Sequence, residues 1–124
     1  MNVQTNTERM AILAAIIESS DDAIISKQLN GIITSWNKGA QIIFGYDEGE
    51  AIGQHISLII PKDRLEEEEM IISKLRKGER IEHYQTKRIT KSGKEVILSL
   101  SISPIHAIQS FFWSQYTDVP AFGF

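Results

Sequence analysis

Hydrophobic and polar positions divide the chain into a helical half and an alternating half. From Thr7, which the pattern predicts as an N-cap, Met10, Leu13, Ala14 and Ile17 recur at helical spacing, and Ile12 and Ile16 widen the stripe. Such a stripe either packs on its own domain or pairs with a second copy across a dimer axis. Two short runs rich in β-branched residues, 23–26 and 32–36, flank Gln28-Leu29-Asn30-Gly31. Asn-Gly between such runs predicts a tight hairpin with both turn residues at positive φ. Asn37 then suits the N-cap of a short helical pattern in Ala40, Ile43 and Phe44, and Gly45 a left-handed C-cap.

Asp47 opens one further helical turn whose acidic start suits the helix dipole. A short apolar segment, GQHISLIIP, is stopped by Pro61. Residues 62–77 form the strongest helical pattern, with Leu65, Ile72 and Leu75, beside Ile71, as the buried face and Gly78 as the stop. The four acids Glu66, Glu67, Glu68 and Glu69 point around this helix instead of converging. They predict a solvated face, not a metal site.

After residue 80 the period changes to two. Tyr84, Thr86 and Arg88 alternate with Gln85, Lys87 and Ile89, and Ser92-Gly93 supplies a turn. Leu98, Leu100 and Ile102 then oppose Ser99, Ser101 and Ser103, as in a hairpin with one buried and one wet face. Residues 111–117 make one more strand. Helices grouped between antiparallel strands predict an α+β domain, a five-stranded sheet with short helices on one face and an N-terminal helix.

Composition narrows the chemistry. The chain has 124 residues and no cysteine, which removes disulfides, thiolate nucleophiles and Cys-based metal sites. A net charge of −3 without a basic cluster argues against a nucleic-acid surface. No apolar run is long enough to span a bilayer and no signal-peptide pattern opens the chain, so a cytoplasmic setting is expected. His55, His83 and His106 show no metal-ligand spacing, and His83 is expected on the outer sheet face. No nucleophile elbow, phosphate loop or converging acid pair is present, so no catalytic residue is assigned and the chain is not expected to be an enzyme.

Taken together, DAII, NGIITSWNKGAQIIFGY, AIGQHISLIIP and KRITKSGKEVILSLSISPI resemble, in order and spacing over about residues 20–105, the PAS sensor domains of bacterial histidine kinases. The resemblance implies a flanking helix in residues 1–20, a PAS core in 21–119 and a tail in 120–124. The tail departs from the family: Tyr116-Thr117-Asp118-Val119 starts the usual ending, but Pro120 replaces its threonine. This leaves open whether residues 106–124 form the last strand or are an altered or artificial end. The implied function is that of a signal-sensing module that binds a small ligand or partner, forms a homodimer and regulates an effector such as a histidine kinase outside this chain. The alternative is a ligand-free dimerisation module with its core filled by side chains.

The resemblance also sorts cofactors. The adduct-forming cysteine of the light-sensing flavin (LOV) branch falls at Ile56, and its flavin-reading asparagines fall at Arg88 and Leu98, which excludes LOV chemistry. The haem-ligating histidine of family oxygen sensors falls near Glu68, so haem is disfavoured. FAD stacked on Trp36 remains a lesser alternative to Trp36 as a core anchor. Alternation and alignment nominate Ile24, Ser26, Ile32, Trp36, Ile56, Ile59, Ile72, Thr86, Arg88, Leu98, Leu100 and Ile102 as pocket residues. Met10, Leu13, Ala14 and Ile17 are the dimer candidates. A buried Arg88 needs either an acid, with Asp47, Glu48 and Glu50 as candidates, or an anionic ligand.

Overall fold

The computed structural model describes residues 5–105 and 110–118, with the backbone alone for 105 and 110–118. Residues 1–4, His106 and the tail from 119 lie outside the described residues. Helix α1 (Asn6–Ser19) precedes strands β1 (Ala23–Gln28) and β2 (Ile33–Trp36). Helices α2 (Lys38–Phe44), α3 (Glu48–Ala51) and α4 (Leu65–Arg76) follow, with 3-10 turns at Ile56–Ile59 and Lys62–Arg64 between α3 and α4. Strands β3 (Ile81–Ile89), β4 (Glu95–Ile105) and β5 (Ser110–Asp118) complete an antiparallel sheet in the order β2-β1-β5-β4-β3. The last strand therefore forms, and it lies in the middle of the sheet between β1 and β4.

Local signals account for most boundaries. Thr5, not Thr7, caps α1, its side chain accepting from the Glu8 N–H at 3.1 Å. Asp47 and Glu50 form a reciprocal capping box on α3, and Gly45 ends α2 at φ 84°. In the first hairpin only Gly31 takes positive φ (86°). The Gly31 N–H reaches Gln28 O at 2.9 Å and the Gln28 N–H reaches Ile32 O at 2.9 Å, a three-residue loop with the left-handed residue last. The β3–β4 loop repeats this geometry from Thr90 to Lys94, with Gly93 at φ 87°.

Two bulges set which side chains enter the core. Between Ser26 and Lys27 the β1–β2 register shifts, so that Ile25 pairs with Trp36 but Lys27 pairs with Ile33. The extra residue turns Ile33 inward along with Trp36 and leaves Thr34 and Ser35 exposed. A second shift falls between Ile81 and Tyr84, where His83 sits exposed at φ 51° and its N–H donates to Ser101 Oγ at 3.2 Å. It lets Ile81 share the inner face with Thr86 and Arg88. The core gathers Ile25, Ile33, Trp36, Phe44, Ile56, Ile59, Ile71, Leu75, Leu98, Leu100 and Ile102. Leu65, expected on the buried face of α4, is 44% exposed, because at 3.6 residues per turn it points about 120° away from Ile71 around the helix; Ile71 and Leu75 carry the burial.

Candidate functional site

The site is the layer between the inner sheet face and α4. Lys27 and Arg88 reach it from β1 and β3, and both are fully buried. Desolvating a cation is costly unless an anion faces it. The anions come from adjacent residues of α4. Glu68 Oε1 accepts from the Lys27 ammonium, and Glu67 Oε1 lies 3.5 Å from Arg88 Nη1. Thr86 Oγ1 donates to Glu67 Oε1 at 2.6 Å and accepts from Arg88 Nη1 at 3.2 Å, which joins helix, hydroxyl and guanidinium. Arg64 Nη1 adds a further bond to Glu67 Oε2 at 3.0 Å. The second Glu68 oxygen, Oε2, is buried with no hydrogen-bond partner among the described residues.

A charge pair at 3.5 Å gains about 5 kcal/mol at an effective dielectric of 20, against a desolvation cost of several kcal/mol per ion. The two nearly cancel. What the network does is fix α4 in position and rotation over β1 and β3. Burial is the main cause that lowers the Lys27 pKa, to about 8; Glu68 opposes the shift and Arg88 adds to it. Because the folded value lies below the unfolded one, the unfolded chain binds the extra proton between pH 8 and 10.5, so stability rises with pH across that window. Against a Lys27→Met variant, the parent should gain roughly 3 kcal/mol from pH 8 to 10.5 in urea unfolding. A flat difference between the two would show that Lys27 titrates as an exposed lysine does.

The structure separates the nominated pocket residues. Trp36, Ile56, Ile59, Thr86, Arg88, Leu98, Leu100 and Ile102 meet in the buried layer, and Ile72 packs half-buried at its edge. Ile24 and Ser26 do not; Ala23, Ile25 and Lys27 take the inner side of β1, and Ser26 Oγ bonds Thr34 Oγ1 at 2.7 Å on the other. Ile32 is also half-buried and outside it, because the β1–β2 bulge hands its place to Ile33. Arg88 faces Glu67 instead of Asp47, Glu48 or Glu50: Asp47 caps α3, and Glu50 pairs with Lys91 at the surface. The acidic run is not a uniformly solvated face, since Glu67 and Glu68 turn inward while Glu66 and Glu69 stay exposed. Trp36 Nε1 donates to Tyr46 O at 2.9 Å and the ring packs against Phe44, so it is a core anchor.

Lys27 is the residue that sequence reasoning missed. Both Ile24 and Ile25 fit an inward position, and a lysine is rarely buried. The hint was the alternation of Ala23, Ile25 and Lys27. A flavin ring in this layer would have to displace Arg88 and Lys27 together with their glutamates, so the residues present do not fit that cofactor.

Asn37 joins the layer to α1. Its Oδ1 accepts from the Ile24 and Ala40 N–H groups at 2.8 and 2.9 Å, and its Nδ2 donates to Ile17 O and Asp22 O at 2.8 and 2.9 Å. One buried amide thus ties the end of α1, the start of β1 and the first turn of α2. Gly39 permits this closeness; a Cβ there would lie 2.2 Å from Asp22 O. Along α1 no residue is fully buried: Met10 is 69% and Leu13 57% exposed, Ala14 is exposed, and Ile17 is half-buried.

A five-stranded antiparallel sheet in this order, with short helices covering one face, defines an α+β domain of the PAS type. A sequence profile of the PAS fold matches residues 11–118, and the chain belongs to the PAS family. Its members are commonly sensory modules in histidine kinases and are generally regulatory instead of catalytic. The fold is similar to the PAS domain of a Colwellia psychrerythraea protein, at 24% identity and TM-score 0.77, covering 90% of this chain and 97% of that one. A domain of a sensory box sensor histidine kinase/response regulator from Geobacter sulfurreducens matches at 13% identity and TM-score 0.80, covering 94% and 100%. A Rhodobacter sphaeroides LOV protein matches at 16% identity and TM-score 0.76, covering 96% and 71%. Among the described residues, no helix is long and apolar enough to cross a membrane.

Proposed function

We propose that the chain is a regulatory PAS module that forms a homodimer through α1 and biases an attached effector such as a sensor histidine kinase. The observation that carries this is the unburied apolar face of α1, with Met10, Ile12, Leu13 and Ile16 each more than two-fifths exposed along one short helix. A 14-residue helix is marginal in water without an apolar surface to cover its stripe, and a second copy supplies a matching one. The Asn37 bonds give that interface a direct mechanical link to β1 and α2. The filled layer beneath α4 supports an interaction module over one with a cofactor between sheet and helices. A shift in the packing of α1 would then change the populations of two dimer arrangements.

Native mass spectrometry and size-exclusion light scattering test this together. The parent should be a dimer without a retained chromophore, and Leu13→Glu should yield a monomer with an unchanged circular dichroism spectrum. A monomeric parent overturns the dimer, and a retained flavin or haem overturns the filled layer.

A further inference from the structure

Beyond the dimer, and independent of it, a second feature lies outside the buried layer. An open groove of about 550 Å³ runs between α4 and the β1–β2 turn. Leu29 and Ile72 give it apolar walls, and the exposed His55 ring, packed directly over Gly31, also lines it. Its two ends differ in sign: Glu68 and Glu69 lie toward the start of α4, Arg76 and Lys77 at its end.

We propose that this groove binds a short zwitterionic molecule of about tripeptide length, its ammonium on Glu68 and Glu69 and its carboxylate on Arg76 and Lys77. The orphaned Oε2 of Glu68 stands at the acidic end. A buried carboxylate oxygen without a partner is unfavourable, and a carboxylate has lone pairs for a second ammonium beside Lys27. Length selects the ligand. Eight residues of helix separate Glu68 from Arg76, about 12 Å at 1.5 Å per residue. An extended tripeptide spans about 10–11 Å, and the long Arg76 side chain covers the remainder. A single amino acid is too short to meet both ends, and the apolar middle excludes a highly charged chain.

Titration calorimetry and amide chemical-shift mapping with trialanine test the proposal. Saturable shifts are expected at Leu29, Gly31, His55 and Ile72. Capping either terminus, as N-acetyl-trialanine or trialanine amide, should weaken binding about ten-fold or more, equivalent to about 1.4 kcal/mol. Arg76→Glu and Glu69→Lys, both at exposed positions, should do the same without disturbing the fold. The absence of a saturable response at millimolar trialanine overturns the proposal. So does equal binding of the capped peptides, or a set of shifts centred elsewhere.

Discussion

Glu68→Ala is expected to destabilise the domain by about 3–5 kcal/mol at pH 7, one of the largest effects available from a residue on the face of a helix. The substitution removes the carboxylate that faces a fully buried ammonium. At pH 10 the loss should shrink, because Lys27, already lowered to about 8 by burial, is then mostly neutral and has less need of an anion. The double variant Lys27→Met, Glu68→Leu should recover most of the stability, since a buried ion pair replaced by apolar groups of similar volume is often neutral or better. Urea unfolding of the parent, both single variants and the double variant closes the cycle. If Glu68→Ala costs less than about 1 kcal/mol, the pair behaves as a solvent-screened surface pair, and α4 is held by Ile71 and Leu75 alone.

The second large effect is expected at Asn37. Loss of an N-cap alone costs about 1 kcal/mol, but Asn37→Ala also removes the side-chain bonds to three more backbone groups, Ile24 N–H, Ile17 O and Asp22 O, in a nearly solvent-free position. About 3 kcal/mol is therefore expected. Asn37→Asp separates the two roles. Its carboxylate keeps the acceptor for Ala40 and Ile24 but cannot donate to Ile17 O and Asp22 O. The β1–α2 corner should hold while α1 comes free. Amide hydrogen exchange would read this as faster exchange across α1 with the sheet unchanged. Uniform loss of protection would instead make Asn37 a general core residue without a special connection to α1.

How much of this was legible in the chain varies with the range of the interaction. The α2 cap at Asn37, the Gly45 stop and the acidic start of α3 depend on groups within four residues, and each formed as the sequence predicts. The inner face of β4 was also legible, since Leu98, Leu100 and Ile102 alternate with serines and the register shift of this hairpin falls on β3, between Ile81 and Tyr84. The inner face of β1 and β2 was not. Ile24 and Ile25 suit either side, and the bulge that exchanges Ile32 for Ile33 depends on the partner strand. Glu67 and Glu68 resemble their neighbours Glu66 and Glu69 in sequence. Only the proximity of Arg88 and Lys27 draws these two inward.

By itself, then, the amino-acid sequence determined the element order, the α+β class and the absence of thiol chemistry, because periodicity, caps and composition act locally. The resemblance carried by its motifs supplied the PAS core. The tertiary structure alone decided that the layer beneath α4 holds paired charges, that Lys27 belongs to it and that the first helix leaves its apolar face uncovered. Burial and ion pairing arise between residues tens of positions apart in the chain, and the cost of desolvating a charge is defined only once the groups around it are in place.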